Sequence, residues 1–246
     1  MPTIEENKRV WNTTYNWEQQ GNEWSSDSGG VEMQWRNMIL PRIQEFLPAK
    51  TVLEIAPGFG RWTEYLKGLC ENLILVDLAE KCIQACKSRF SSCSHITYHV
   101  NDGKSLDMIP DGSIDFVFSF DSLVHAEDDV LKAYINQLSK KLTKDGVGCI
   151  HHSNLGEYAA YYSLLRKIPR GRGLLVRLGL IELDHWRAIS MTASKFEQYA
   201  EEAGLQCISQ DIIKWGTKRR LIDCISTFTR KDSVWSRPNK VTRENQ

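Results

Sequence analysis

TVLEIAPGFGRW, Thr51 to Trp62, is the stretch on which the reading of this chain turns. Thr51 to Ala56 is a short buried strand, and Pro57 to Gly60 is a turn rich in glycine. Residues 61–70 then read as a helix. A strand, a glycine turn and a helix N-terminus in that order make a place where backbone can approach a ligand closely. Glycine is needed there because a side chain would collide with the ligand or forbid the turn.

Outward from that unit, apolar runs alternate with amphipathic stretches. NLILVD (72–77) is a second strand and 79–90 a helix. HITYHV (95–100) and IDFVFSF (114–120) are the third and fourth strands. A long helix over 127–143 carries apolar residues at helical spacing, and GVGCIHH (146–152) is the fifth strand. This order predicts an α/β fold with a mostly parallel sheet covered on both faces. A helix over 192–203 stops at Gly204, a sound C-terminal signal. LQCISQDII (205–213) and LIDCISTFTR (221–230), joined by basic KWGTKRR, read as an antiparallel pair.

Residues 1–48, rich in Trp, Asn, Glu and Gly, read as a mostly helical extension. Its Trp11, Tyr15, Trp17, Trp24 and Trp35 are costly to expose together and are expected to fold over the cleft as a cap; the bland alternative is that they cover a sheet edge or helix face. The main domain is expected over 49–232, with a less regular lid at 155–190 and a loose tail at 233–246.

The 246 residues are 41% hydrophobic and 25% charged, enough to bury a sizeable core. Lys+Arg and Asp+Glu are both 31, which argues against broad electrostatic binding to nucleic acid. No apolar run approaches eighteen residues, so no membrane span is expected. The start, MPTIEENKRVW, has no apolar signal core, and the seven cysteines contain no CxxC pair. Free thiols and a cytoplasmic location are the expectation. No close-spaced ligand motif calls for a metal.

Three acidic residues stand at or near three successive strand ends: Glu54, Asp77 and Asp102. At Asp77 a carboxylate can accept two hydrogen bonds from a ribose diol. At Asp102, in NDG (101–103), it can accept from an exocyclic amine such as that of adenine. Together with the turn they predict a ligand containing a nucleoside. The nicotinamide fingerprint G-x-G-x-x-G/A fails at Thr63, and Arg61-Trp62 would crowd a pyrophosphate. Glu54 would repel phosphates but suits a cationic amino-acid moiety, which favours S-adenosylmethionine.

VLEIAPGFGRW, LILVD, VNDG, the stretch from IDFVFSFDSLVH to DGVG, and the closing antiparallel pair resemble the class I S-adenosylmethionine-dependent methyltransferases over roughly residues 50–230. The resemblance implies a Rossmann-like, seven-stranded sheet whose last strand is antiparallel. It implies that the turn at Gly58 and Gly60 holds the methionine part, Asp77 the ribose and Asp102 the adenine. The cofactor set expected is then Glu54, Ala56, Gly58, Gly60, Trp62, Asp77, Leu78, Asn101, Asp102, Gly103 and Phe120, with Trp24 and Trp35 from the extension. Ala56 stands where this family usually has glycine, so only a slight change in the turn is expected. The whole pattern, with HHSNLGEY and HWRAISMTA included, resembles the methyltransferases of bacterial glycan and natural-product biosynthesis.

Ligands of open α/β sheets bind beyond the carboxyl ends of the strands, where Asp121, His125, His151 and His152 fall. A hydroxyl acceptor gains from a base near neutral pH, and histidine suits that task. Side chains alternate along a strand, so one of His151 and His152 should face the site, with His152 favoured because it is nearer the loop. The bland alternative is that the pair caps loop backbone and His125 merely orders its loop. Asp121 is expected to orient a histidine or hold the cofactor amine. His185, Trp186 and Arg187 are expected on the acceptor side, Trp186 to stack on a ring and Arg187 to bind an anion. RKIPRGRGLLVR (166–177) holds five basic residues and sits where an acceptor lid belongs.

The leading expectation is O-methylation of a sugar hydroxyl, in a bacterial glycan or glycosylated natural product. An N-methyltransferase acting on an amino sugar or small amine, and a non-catalytic S-adenosylmethionine-binding subunit, are the alternatives. The partner is a small-molecule or glycan acceptor and not nucleic acid; FDSL replaces the polar-Pro-aromatic signature of base methylators.

Overall fold

The computed structural model describes residues 3–166, 177, 181–215 and 219–244. Eight strands form one sheet: β1 (Ala49–Ile55), β2 (Cys70–Asp77), β3 (Ile96–Val100), β4 (Ile114–Ser119), β5 (Leu142–Ser153), β6 (Leu205–Ile213), β7 (Asp223–Arg230) and β8 (Lys240–Arg243). Their order is β3-β2-β1-β4-β5-β7-β6-β8. β1 to β5 run parallel, and β7 is antiparallel to both neighbours, β5 and β6. The order in which strands are added reverses between β1 and β4, where a ligand crevice is expected.

The expected seven strands are therefore eight. The tail expected to be loose supplies β8, which pairs parallel with β6 from Ser209↔Lys240 to Ile212↔Arg243. KVTR has one apolar residue and lies almost wholly exposed, so no periodicity announces it. What holds it is backbone pairing plus polar ties: Thr242 Oγ1 donates to Asp211, and Asn239 Nδ2 donates to Gln210 Oε1 at 3.0 Å.

Alternation along the strands builds two cores. Leu53, Ile55, Val117 and Ile150 face one side, under the helices Asp128–Lys141 and Ala193–Glu202, where Leu131, Tyr134, Ile135 and Phe196 pack. Val52, Phe116, Phe118 and Cys149 face the other, against Ile39, Ile43, Ile83 and Phe90. The helix expected at 61–70 shortens to Thr63–Leu66, because Leu69 and Cys70 already lead into β2. Thr192 caps the helix Ala193–Glu202 by accepting from Lys195 N at 3.0 Å. No helix among the described residues is long and apolar enough to cross a membrane. All seven cysteines are free thiols.

Candidate functional site

A cavity of about 910 Å³, mouth included, opens beyond the carboxyl ends of β1, β2 and β4. Its floor is the turn after β1. Ala56, Gly58 and Gly60 all take left-handed backbone, with φ of 56°, 58° and 82°. Two glycines accept this freely and Ala56 does not. The turn is pinned by Ser122 Oγ, which donates to the Ala56 carbonyl at 2.7 Å.

Asp77 ends β2 beside this turn and lines the cavity. Its Oδ2 accepts from Gly58 N at 3.2 Å and its Oδ1 from Ala79 N at 2.8 Å. Burial lifts its carboxyl to about 6. Leu78, Gly103, Trp62, Phe120 and Trp24 line the same cavity.

Five expected cofactor residues are placed differently. Glu54 lies beneath the turn, 1% exposed, where Thr63 Oγ1 donates to its Oε2 at 2.6 Å. Burial raises its carboxyl to about 8, so it is largely protonated at neutral pH. Gly60 serves packing: a Cβ there would stand 2.5 Å from the Phe90 ring. Asp102 spends Oδ1 on its own turn, accepting from Lys104 N at 2.8 Å and Ser105 N at 2.6 Å, and lies outside the cavity. Asn101 likewise ties its loop, donating to Ser105 O and to Tyr134 Oη, both at 2.9 Å. Trp35 packs on Tyr65 and Trp62, with ring centroids 4.6 and 6.3 Å away, behind the cavity wall.

The N-terminal segment forms the roof. Ile4, Asn7, Trp11, Trp17, Gln20 and Trp24 all line the cavity. Trp17 stacks on Phe59 at 4.3 Å and 3°, above the turn. Asn7 Nδ2 donates to the His125 carbonyl at 3.1 Å. Trp11 is the centre of an aromatic cluster, within 5.9 Å of Tyr15, Trp17, Trp24, His125 and Trp186.

Of the histidines, only His125 lines the cavity. Its Nδ1 lies 3.0 Å from the Trp186 carbonyl, which can only accept. Nδ1 therefore carries the proton and Nε2 keeps its lone pair. Burial holds the ring's pKa down at about 4, so it is neutral at physiological pH. His151 and His152 are both fully buried on opposite faces of β5. The preference for His152 is corrected. Its ring stacks on Phe196 at 4.4 Å and 5°, and Ser226 Oγ and the Ser153 carbonyl lie 2.8 and 2.9 Å from its nitrogens. His151 turns the other way, against Phe120 and Asp121, one layer behind the cavity.

Asp121 lines the cavity with φ of 63°. Arg61, expected only to crowd a pyrophosphate, is its partner. Arg61 Nη2 donates to Asp121 Oδ2 at 2.6 Å and Nη1 to Ser25 Oγ at 2.9 Å, with the guanidinium over Trp62 and Trp24. Arg187 does not reach out for an anion: it is 6% exposed and gives Nε and Nη2 to Asp223 at 3.0 and 2.9 Å. Neighbouring His185 and Trp186 are both left-handed, at φ 46° and 61°. Apart from its ends, Arg166 and Arg177, the basic segment 166–177 lies outside the described residues.

Residues 52–146 match a family model described as a methyltransferase domain. No curated protein matches. Among solved structures, the N-methyltransferase NodS from Bradyrhizobium japonicum WM9, in complex with S-adenosyl-L-homocysteine, is 14% identical with a TM-score of 0.60, over 94% of this chain and 99% of that one. A protein from Pyrococcus horikoshii OT3 is 20% identical, TM-score 0.55, over 81% and 92%. An S-adenosylmethionine-dependent methyltransferase from Listeria monocytogenes, described as putative, is 17% identical, TM-score 0.56, over 78% and 97%. At these identities the likeness is one of fold.

Proposed function

We propose that this chain is an S-adenosylmethionine-dependent class I methyltransferase, a reading supported by the match of residues 52–146 to a methyltransferase domain, and that it methylates a hydroxyl oxygen of a sugar. The observation that carries the reading is His125: a neutral ring with its tautomer fixed by the Trp186 carbonyl and its Nε2 lone pair left over, at the wall of the cavity.

The donor needs little chemical help, because its methyl is already activated on a sulfonium. The protein must hold it, align the acceptor and receive one proton. Asp77 fits a ribose diol. The turn from Ala56 to Gly58 gives backbone contact for the methionine part, and Arg61 suits its carboxylate. Gly103 and Tyr134 border the place left for adenine. On the acceptor side Trp11, with Trp186 packed against it, gives an aromatic face on which a sugar ring can stack. Among the described residues, Asn7 Oδ1 and Glu127 Oε1 have no hydrogen-bond partner; both are acceptors that hydroxyl groups would satisfy. As a hydroxyl attacks the methyl carbon, its proton passes to His125 Nε2. The attack is in line, so the sulfonium leaves as a neutral thioether.

Methylation of nitrogen is the second reading, favoured by the same unpartnered Glu127 oxygen, which would also hold an amine. Incubation with methyl-labelled S-adenosylmethionine and a panel of sugars, amino sugars and amines separates them. Transfer to hydroxyls supports the proposal; transfer confined to amines replaces it with the second reading.

A further inference from the structure

Five ionisable side chains, none more than 7% exposed, run unbroken from the cavity to the loop around Trp186. Arg61 Nη2 meets Asp121 Oδ2 at 2.6 Å. Asp121 Oδ1 lies 3.2 Å from His151 Nδ1, and His151 Nε2 lies 3.4 Å from Asp223 Oδ2. Asp223 takes the fork of Arg187.

We propose that His151 is a positioning residue, an imidazolium clamped between two carboxylates, which keeps Arg61 at the cofactor end and Arg187 at the acceptor end in one fixed arrangement. The proposal rests on reading the cavity as the S-adenosylmethionine site, and it removes His151 from the list of bases.

The ring has three possible proton states, and geometry separates them. With a lone pair on Nδ1, the ring accepts from Asp121 N at 3.2 Å, but that lone pair also faces Asp121 Oδ1 at 3.2 Å. That oxygen is buried and has no other donor among the described residues. With a lone pair on Nε2, the same repulsion meets Asp223. Only the doubly protonated ring turns an N–H toward both carboxylates; the two contacts are ion pairs at 3.2 and 3.4 Å, and neither His151 Nε2 nor Asp121 Oδ1 makes a formed hydrogen bond. That ring gives up the bond from Asp121 N, and a neutral amide left unpaired costs less than a carboxylate oxygen left unpaired. The other faces of the ring are apolar or neutral: Phe120 at 4.5 Å and Trp215 at 6.2 Å, while His152 points to the opposite side of β5 and is itself held neutral. Burial works against the charge, and the two carboxylates outweigh it, raising the ring's pKa above its ordinary value.

The consequence is a chain of three cations and two anions, positive by one charge, that ends at the cavity in Arg61. An anion is what such an end lacks, and the cofactor's amino-acid carboxylate supplies one. At the far end, the Arg187–Asp223 grip fixes the loop whose Trp186 carbonyl sets the tautomer of His125. His151 is the link common to both ends.

The test is NMR of the full-length protein carrying 15N-histidine, with and without S-adenosylmethionine; the His151 signals are those missing from His151→Asn. Both ring nitrogens of His151 should stay protonated from about pH 6 to 8. A lone-pair nitrogen signal from His151 at neutral pH overturns the proposal. In calorimetry, a folded His151→Asn should bind S-adenosylmethionine at least about tenfold more weakly. Unchanged affinity overturns the positioning role. If that variant does not fold, the His151 ring signals are assigned from the backbone by triple resonance instead, and the ring charge in the wild-type protein decides alone. If the wild-type protein binds no S-adenosylmethionine, the cofactor reading falls, and the ring charge still decides the proposal.

Discussion

Asp77→Asn should make the free protein more stable and nearly abolish cofactor binding. Burial raises the Asp77 carboxyl from an ordinary 3.8 to about 6. At 1.36 kcal/mol per pH unit this is a penalty on the folded state of about 3 kcal/mol. Its sign follows from proton linkage. The folded protein binds this proton more tightly than the unfolded chain, so the penalty is absent below the unfolded pKa. It grows as pH rises from there and is complete above about 6. Asparagine carries no charge to bury, but its amide cannot accept from both Gly58 N and Ala79 N, a loss of about 1 kcal/mol. The net gain is about 2 kcal/mol at pH 7.5, or about 4–8 °C in Tm for a chain of this size. At pH 4, where the penalty has fallen to about 0.5 kcal/mol, the variant should instead be the less stable by about 0.5 kcal/mol. With Asp77 holding the ribose diol as proposed, two charge-assisted bonds of at least about 1.5 kcal/mol each would be lost, so affinity for S-adenosylmethionine should fall more than about 100-fold. Melting by far-UV circular dichroism at both pH values, with calorimetry, reads both effects. A variant that melts lower at pH 7.5, or that binds the cofactor as the wild type does, refutes the reasoning.

His125→Gln should leave cofactor affinity within about twofold and slow methyl transfer to a hydroxyl about 10²–10⁴-fold, read as kcat against calorimetric Kd. Because His125 is neutral above about 4, transfer at saturating cofactor should be flat in pH from about 6.5 to 8, while cofactor affinity falls as pH drops through about 6 and Asp77 protonates. Ala56→Gly should raise stability by about 0.5–1 kcal/mol, relief of left-handed strain less the entropy cost of glycine. Gly60→Ala should destabilise by about 2–3 kcal/mol in denaturant titration, because its Cβ would meet the Phe90 ring at 2.5 Å.

The parallel strands, the glycine turn at Gly58 and the acid at Asp77 are legible because their signals are local: apolar runs, a glycine turn, an acid at a strand end. Alternation showed that His151 and His152 must part. Which of them faces the cofactor side depends on Phe120 and Phe196, 31 and 44 residues away from their partners. Gly60 looked like a ligand contact because nothing nearby reveals that Phe90 fills the space beside it. The role of Arg61 is not legible locally, because it comes from Ser25 and Asp121, 36 and 60 residues distant. β8 escaped because an exposed edge strand of four residues needs no apolar pattern to pair.

The aromatic roof also gives the molecule an optical reporter. Four of its eight tryptophans, Trp11, Trp17, Trp24 and Trp62, line the cavity, and Trp186 touches Trp11. Emission excited at the indole band is therefore weighted toward the roof, while far-UV dichroism follows the sheet. A ligand entering the cavity displaces water from several indoles at once and should shift the spectrum without any added dye. In denaturant, the two signals separate if the roof lifts while the eight strands are still paired, so the opening of the cavity can be timed apart from the loss of the fold.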